Sequence, residues 1–326
     1  MKILSTGIGF ICAALLCGQA SAVETDYDAG TKALPLQQAG GTARAAAMGS
    51  AVVAVSQGSA ALLWNPAGLS RLGGMEIGLH HNSGLGDTIQ ETAIFGMPLG
   101  QAKADCTGGS LGGLAASFGY VNHGSFDGMD ALDQPTVSYQ AGDFSGSLGW
   151  GRELLPGFSG GIALKDNQSR FAGKGYNAFS TDIGFLYNVI PGLNLGATYS
   201  NINLGSKIGG KELTSGWRLG AALDLGKHLL LAASGELQNH AVNRLQFGAE
   251  YLIGNIEEKS NVLALRAGVQ ATYPDPQLSG LTGLTLGLGY TLTRALTLDY
   301  AMAPSGELGT SHRFSLTYKF DCQAKR

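Results

Sequence analysis

The chain has 326 residues, 51 of them glycine, with 14% charged and 8% aromatic side chains and a formal net charge of -3. Ordinary proteins carry ~7% glycine and ~25% charged residues, so too many side chains are apolar for a disordered polar chain. No basic stripe is available to displace counterions from phosphates, which excludes a nucleic-acid binder, and glycines without a three-residue period exclude collagen.

The first residues read as an address. Lys2 precedes an apolar stretch from Ile3 to Leu16, and Ala20-Ser21-Ala22 supplies the small-x-small pattern of a secretory signal, residues 1–22, cleaved before Val23. The stretch is shorter than the ~20 apolar residues a spanning helix needs. Leu16 before Cys17 does not suit a lipoprotein site. No later apolar run is long enough to cross a bilayer as a helix, so membrane residence would require strands.

Residues 23–74 lack strand periodicity. They hold Gly41-Thr42-Ala43-Arg44-Ala45, Met48-Gly49 and Trp64-Asn65-Pro66-Ala67-Gly68-Leu69. Small residues allow close backbone packing, and Pro66 fixes its own φ while holding Asn65 out of the helical region, giving a rigid turn.

From about residue 75 the chain alternates apolar and polar side chains, the period of a strand with two faces. Leu284, Leu286, Leu288, Tyr290 and Leu292 oppose Thr285, Gly287, Gly289, Thr291 and Thr293. Trp217 to Leu225 and Leu245 to Ile253 alternate likewise. A soluble sandwich also alternates. Three features together favour a barrel: segments of about ten residues, glycine and threonine with scattered charges on the hidden face, as in a wet lumen, and Tyr199, Tyr251, Tyr273 and Phe320 near segment ends. The predicted fold is therefore all-β: a transmembrane antiparallel β-barrel of about fourteen strands over residues 75–320. Residues 23–74 form a separate N-terminal segment, and residues 321–326 form a periplasmic tail. Tight turns at Pro191-Gly192 and Gly226-Lys227 are expected on the periplasmic side, and the longer Gly205–Leu213 and Pro274–Gly280 connections outside.

In this phase Asp182, Arg218, Asp224, Arg244, Glu250, Arg266, Asp299 and Arg313 point into the lumen, where opposite charges bridge neighbouring strands. Cys106 and Cys322, the cysteines left after signal removal, both fall on the periplasmic side; they form a disulfide only if their Cα atoms come within about 4.4–6.8 Å, a distance sequence does not supply. His80 and His81 are adjacent on a strand and point to opposite faces, so they do not chelate one metal together. Asp127, Asp130 and Asp133 lie in an outer loop without EF-hand spacing, and the G-x-G hits sit inside strands with no following helix. No catalytic set, metal site or cofactor is expected.

The segment carrying Arg44, Gly49, Trp64, Asn65, Pro66, Ala67 and Gly68 resembles the N-terminal signature of the PorV/PorQ group, a branch of the FadL-like outer-membrane superfamily. Gly306-Glu307-Leu308-Gly309 and Ser311-His312-Arg313-Phe314-Ser315-Leu316 resemble that group's last outer loop and final strand. The resemblance implies a plug inside a fourteen-stranded outer-membrane barrel, with lipid and the barrel assembly machinery as partners. Where the group carries an acidic pair this chain has Ser56-Gln57-Gly58-Ser59, and Asp321 to Arg326 follow the terminal aromatic Phe320. The group implies an adaptor that receives secreted proteins or secretion subunits in type IX secretion. The wider superfamily implies the alternative, a channel for hydrophobic ligands in which the plug shifts and the ligand leaves sideways through the wall. A general porin fits less well, because a plug would occlude so narrow a lumen.

Overall fold

The protein's structure, a computed structural model, describes residues 41–84, 86, 88–101, 108–171, 173–205, 207–208, 210, 212–238, 243–273 and 281–320, without the side chain of Tyr273. The expected signal peptide, residues 23–40, Cys106, Cys322 and the tail 321–326 lie outside the described residues.

Fourteen strands form one closed barrel: β1 (Glu76–Ser83), β2 (Ile89–Pro98), β3 (Gly113–Phe126), β4 (Tyr139–Leu155), β5 (Phe158–Phe171), β6 (Lys174–Ile190), β7 (Leu193–Asn203), β8 (Gly216–Leu225), β9 (Leu229–Gln238), β10 (Asn243–Asn255), β11 (Ser260–Tyr273), β12 (Leu284–Thr291), β13 (Leu296–Pro304) and β14 (Thr310–Lys319). Each strand pairs antiparallel with its sequence neighbours, and β1 pairs with β14 to seal the seam, Ile77 opposite Tyr318 and His81 opposite Phe314. Closure leaves no unpaired strand edge, which is how a sheet avoids templating other chains.

The alternation in sequence becomes two surfaces. On β12, Leu286, Leu288 and Tyr290 face out and are 40–51% exposed, while Thr285 is 8% exposed. On β8, Trp217 and Leu219 face out and Arg218 is buried; on β10, Leu245, Phe247 and Tyr251 face out and Gln246 and Glu250 are buried. The exterior is thus an apolar belt with no protein against it, while buried polar side chains collect inside. The short connections at residues 156–157, 191–192 and 226–228 share the rim where β1 begins and β14 ends, and the long connections at residues 127–138 and 204–215 share the other. The division has exceptions: residues 99–112 are a long connection on the short-turn rim, and residues 84–88 and 172–173 are short connections on the other. At the long-loop rim Ile208 and Leu213 fold inward and pack on Ala178 of β6.

Candidate functional site

The non-strand segment is built from local signals. Thr42 caps the short helix α1 (Ala43–Ala47), its Oγ1 accepting from the Ala45 amide at 3.4 Å. Alanine favours helix and keeps the rod thin. Gly49 then turns the chain at φ 60°, and a Cβ there would lie 2.8 Å from the Val269 nitrogen and 3.0 Å from the Phe247 oxygen, both backbone atoms. Two 3-10 turns follow, Ser59–Leu63 and Pro66–Arg71. Asn65 caps the second, its Oδ1 accepting from the Ala67 amide at 3.2 Å, and Pro66 occupies the first position, where a missing N–H costs nothing.

This segment reaches strands all round the barrel. The Ala43 amide donates to Ser315 Oγ of β14 at 2.9 Å and the Gly49 amide to Thr285 Oγ1 of β12 at 3.0 Å. Asn65 Nδ2 donates to the Phe185 carbonyl of β6 at 3.0 Å, Ser70 Oγ to Ser159 Oγ of β5 at 2.9 Å, and Arg71 Nη2 to Asn194 Oδ1 of β7 at 3.0 Å. A short stretch that touches opposite walls of a closed cylinder lies within it. Glycines on the inner face make the fit. A Cβ on Gly151, Gly161 or Gly184 would run into Asn65 and Pro66, one on Gly196 into Val53, and one on Gly248 or Gly268 into Met48 and Gly49. These inner-face glycines form a socket in which backbone approaches backbone.

The predicted lumen charges resolve into three groups. In the first, Arg44 grips Glu250 with two parallel hydrogen bonds of 2.9 and 2.8 Å, and Arg266 bridges Glu250 to Asp299 Oδ1 at 2.6 Å. The neighbouring Glu250 carboxylate holds the Arg44 guanidinium above its usual pKa. This chain of charge ties the inner segment to β10, β11 and β13. The second group joins Arg218 and Arg244 through Glu236 at 3.3 and 3.1 Å, with Arg218 also 5.6 Å over the Trp64 ring. The third pairs Asp182 with Lys165 and fills a bulge: Asp182 Oδ1 accepts from the Asn201 amide at 2.7 Å where Asn201 takes a left-handed φ of 55°. Arg313 on β14 is half-buried. Asp224 shares the alternate face of Arg218 and Ala222. It sits at the turn end of β8 and is exposed, because the barrel wall ends there before the lumen encloses it.

Glu236, Lys165, Glu76 and His80 did not stand out in the sequence as members of these groups. For Glu236 a signal existed: the register places it opposite Arg218 on one side and Arg244 on the other. Glu76 accepts from the Ser59 amide and hydroxyl at 2.9 and 2.6 Å, so the barrel supplies an acid at the stretch where the inner segment has none. His81 faces out and bonds Glu91 at 2.7 Å, whereas His80 faces in. Asp130 spends its carboxylate on the Leu132 and Gln134 amides of its own loop.

Between the inner segment and strands β1 and β10–β14 lies a cavity of about 240 Å³. Ala45, Val52, Val55 and Trp64 form its apolar side, and Arg44, Glu250, Arg266, Asp299, His80 and several threonines its polar side. Outside, a groove of about 570 Å³ runs over the same wall, lined by Leu79, Leu263, Leu288, Leu298, Phe314 and Leu316. His80, Asp299 and Ser315 line both spaces.

A closed fourteen-stranded antiparallel barrel with this exterior has the fold of the FadL-like outer-membrane barrels. It is similar to the toluene transporter TbuX of Ralstonia pickettii (TM-score 0.56, 13% identity, 86% of this chain and 99% of that one). It is similar too to the Pseudomonas putida toluene transporter TodX (0.56, 13%, 85% and 96%) and to a Pseudomonas aeruginosa FadL homologue (0.54, 11%, 86% and 98%). No protein-family model and no curated protein sequence matches the chain.

Proposed function

We propose that this protein is an exported bacterial outer-membrane channel for small hydrophobic molecules, with residues 41–74 as the plug that closes its lumen, and that it is not an enzyme. The observation that carries this reading is the pair of spaces on the two sides of one wall. An inner cavity and an apolar outer groove back onto the same stretch of wall at His80, Asp299 and Ser315, where β1, β14 and β13 stay paired, so a ligand leaving sideways toward lipid would have to part these strands. Outward leucines and aromatics suit hydrocarbon as the surrounding medium, and polar groups confined to the inside suit a barrel wall. The two toluene transporters it resembles are matched over 96–99% of their own chains and support transport. The adaptor role in protein secretion implied by the PorV/PorQ resemblance is supported by the Asn65–Leu69 and His312–Leu316 motifs, two short stretches, and we place it second.

The test is reconstitution of the full chain into lipid vesicles and measurement of toluene uptake. Uptake above protein-free vesicles, lost when the plug is tied to the wall, is expected. Uptake equal to empty vesicles, with secreted proteins co-purifying from solubilised membrane, would favour the adaptor.

A further inference from the structure

We infer that the lumen cavity binds a neutral small molecule carrying a hydroxyl group on an apolar body, such as a phenol, in preference to a carboxylate or a bare hydrocarbon. This rests on the channel reading and names the substrate class for it.

Charge is the first argument. The cavity is lined by three cationic side chains, Arg44, Arg266 and Lys319, and by three carboxylates, Glu76, Glu250 and Asp299. Each cation already has its acid: Arg44 with Glu250, Arg266 with Glu250 and Asp299, and Lys319 with Glu76 at 3.6 Å. Beside Arg44 and Arg266 an incoming carboxylate would lose its hydration and have to break a buried pair to be held, while Lys319, more than half exposed, lies at the rim away from the apolar side. A neutral ligand meets no such barrier.

Hydrogen bonding is the second. Among the described residues lining the cavity, two buried side-chain atoms have no hydrogen-bond partner, His80 Nε2 and Trp64 Nε1. Both residues are at least nine-tenths buried, at 5% and 4% exposure. His80 is held by its other nitrogen, 2.8 Å from Ser315 Oγ, which in turn accepts from the Ala43 amide at 2.9 Å, so the imidazole is fixed from both barrel and inner segment. An indole N–H only donates, and an imidazole nitrogen donates or accepts with its tautomer. A hydroxyl answers either; a carboxylate only accepts, and toluene does neither. The apolar side of the cavity, Val52, Val55 and the Trp64 ring, matches the ligand's body.

The experiment titrates detergent-solubilised full-length protein with phenol, benzoate and toluene, three probes of one ring size, by calorimetry. Wild type should bind phenol at least about tenfold more tightly than either other probe, and His80→Phe should weaken phenol by about five- to tenfold, the size of one lost hydrogen bond. His80→Gln, which keeps a hydrogen-bonding group, should hold phenol better than His80→Phe and guards against a folding defect. Trp64→Phe should lose a similar factor. Benzoate binding as tightly as phenol, or identical phenol affinity in wild type and His80→Phe, would overturn the inference. Vesicle uptake separates the two readings. Toluene flux without phenol preference would overturn this inference and leave the channel standing, whereas no flux of any probe would sink the channel itself.

Discussion

Asn65 is where the seating of the inner segment is most open to test. Its side chain is fully buried; Nδ2 donates to the Val53 and Phe185 carbonyls at 3.1 and 3.0 Å, and Oδ1 accepts from the Ala67 amide at 3.2 Å. Asn65→Ala removes all three. At ~1 kcal/mol per net hydrogen bond, with the lost cap included, seating weakens by about 2–4 kcal/mol. That multiplies the displaced population roughly 30- to 700-fold. The readout is swelling of proteoliposomes in a small sugar, together with protease cleavage of the segment. The neighbour across the gap gives a second arm. Gly184 has no room for a Cβ because Asn65 Oδ1 occupies the place, so Gly184→Ala alone should cost about 1–3 kcal/mol as overpacking. In the Asn65→Ala background the Oδ1 clash is gone and Pro66 Cδ, 2.9 Å away, is the one close neighbour left, so the double variant should leak less than the two single effects combined, by about 1–2 kcal/mol of coupling. Strict additivity, or two single variants as tight as wild type with the barrel intact, would refute the reasoning.

Four further outcomes follow from other contacts. Arg44→Met should raise leakage by loosening the segment about 2–3 kcal/mol, with Arg44→Lys recovering only part, since an ammonium does not reproduce the two-pronged grip on Glu250. The raised Arg44 pKa sets the sign with pH: its contribution is complete below the ordinary arginine value and fades only as pH rises through the higher folded one. Wild-type leakage should accordingly show no Arg44-dependent step between about pH 6 and about pH 10. Leu288→Arg, on the outer face of β12, should destabilise the barrel in lipid vesicles by about 2–4 kcal/mol in reversible urea unfolding, and a change near zero would argue against lipid on that face. A Ser70→Cys/Ser159→Cys pair, whose hydroxyls stand 2.9 Å apart, should block toluene uptake when oxidised and restore it on reduction.

Much of the wall was legible because period-two alternation is a direct record of two solvents. The outward set Leu286, Leu288 and Tyr290 could be read straight from the chain, and with it the inward phase of Arg218, Glu250 and Arg266. The ends of elements were less legible. Alternation starts β4 near residue 141 and β6 near residue 177, whereas they begin at Tyr139 and Lys174, because Gly and Asn near the long-loop rim hide the pattern while backbone pairing continues. The inner segment was legible as non-strand and as rigid at Asn65-Pro66, but its partners were not. Which glycine receives Pro66, or which acid receives Arg44, depends on strand register and on the curvature of the closed wall, and neither is written in a local stretch of residues. The cavity is less legible still, since Ala45, Trp64, His80 and Thr297 are far apart in the chain and meet only once the cylinder is complete.

The seam between β1 and β14 imposes an order of events. Its two halves are the first and last strands of the wall, so it zips only when synthesis is finished and the costliest loop in the molecule is closed. The inner segment precedes β1, yet it bonds Ser315 on β14 and Thr285 on β12. Its seating is therefore finished only when the last strands of the wall are in place: the first part of the chain to be made is among the last to find its partners.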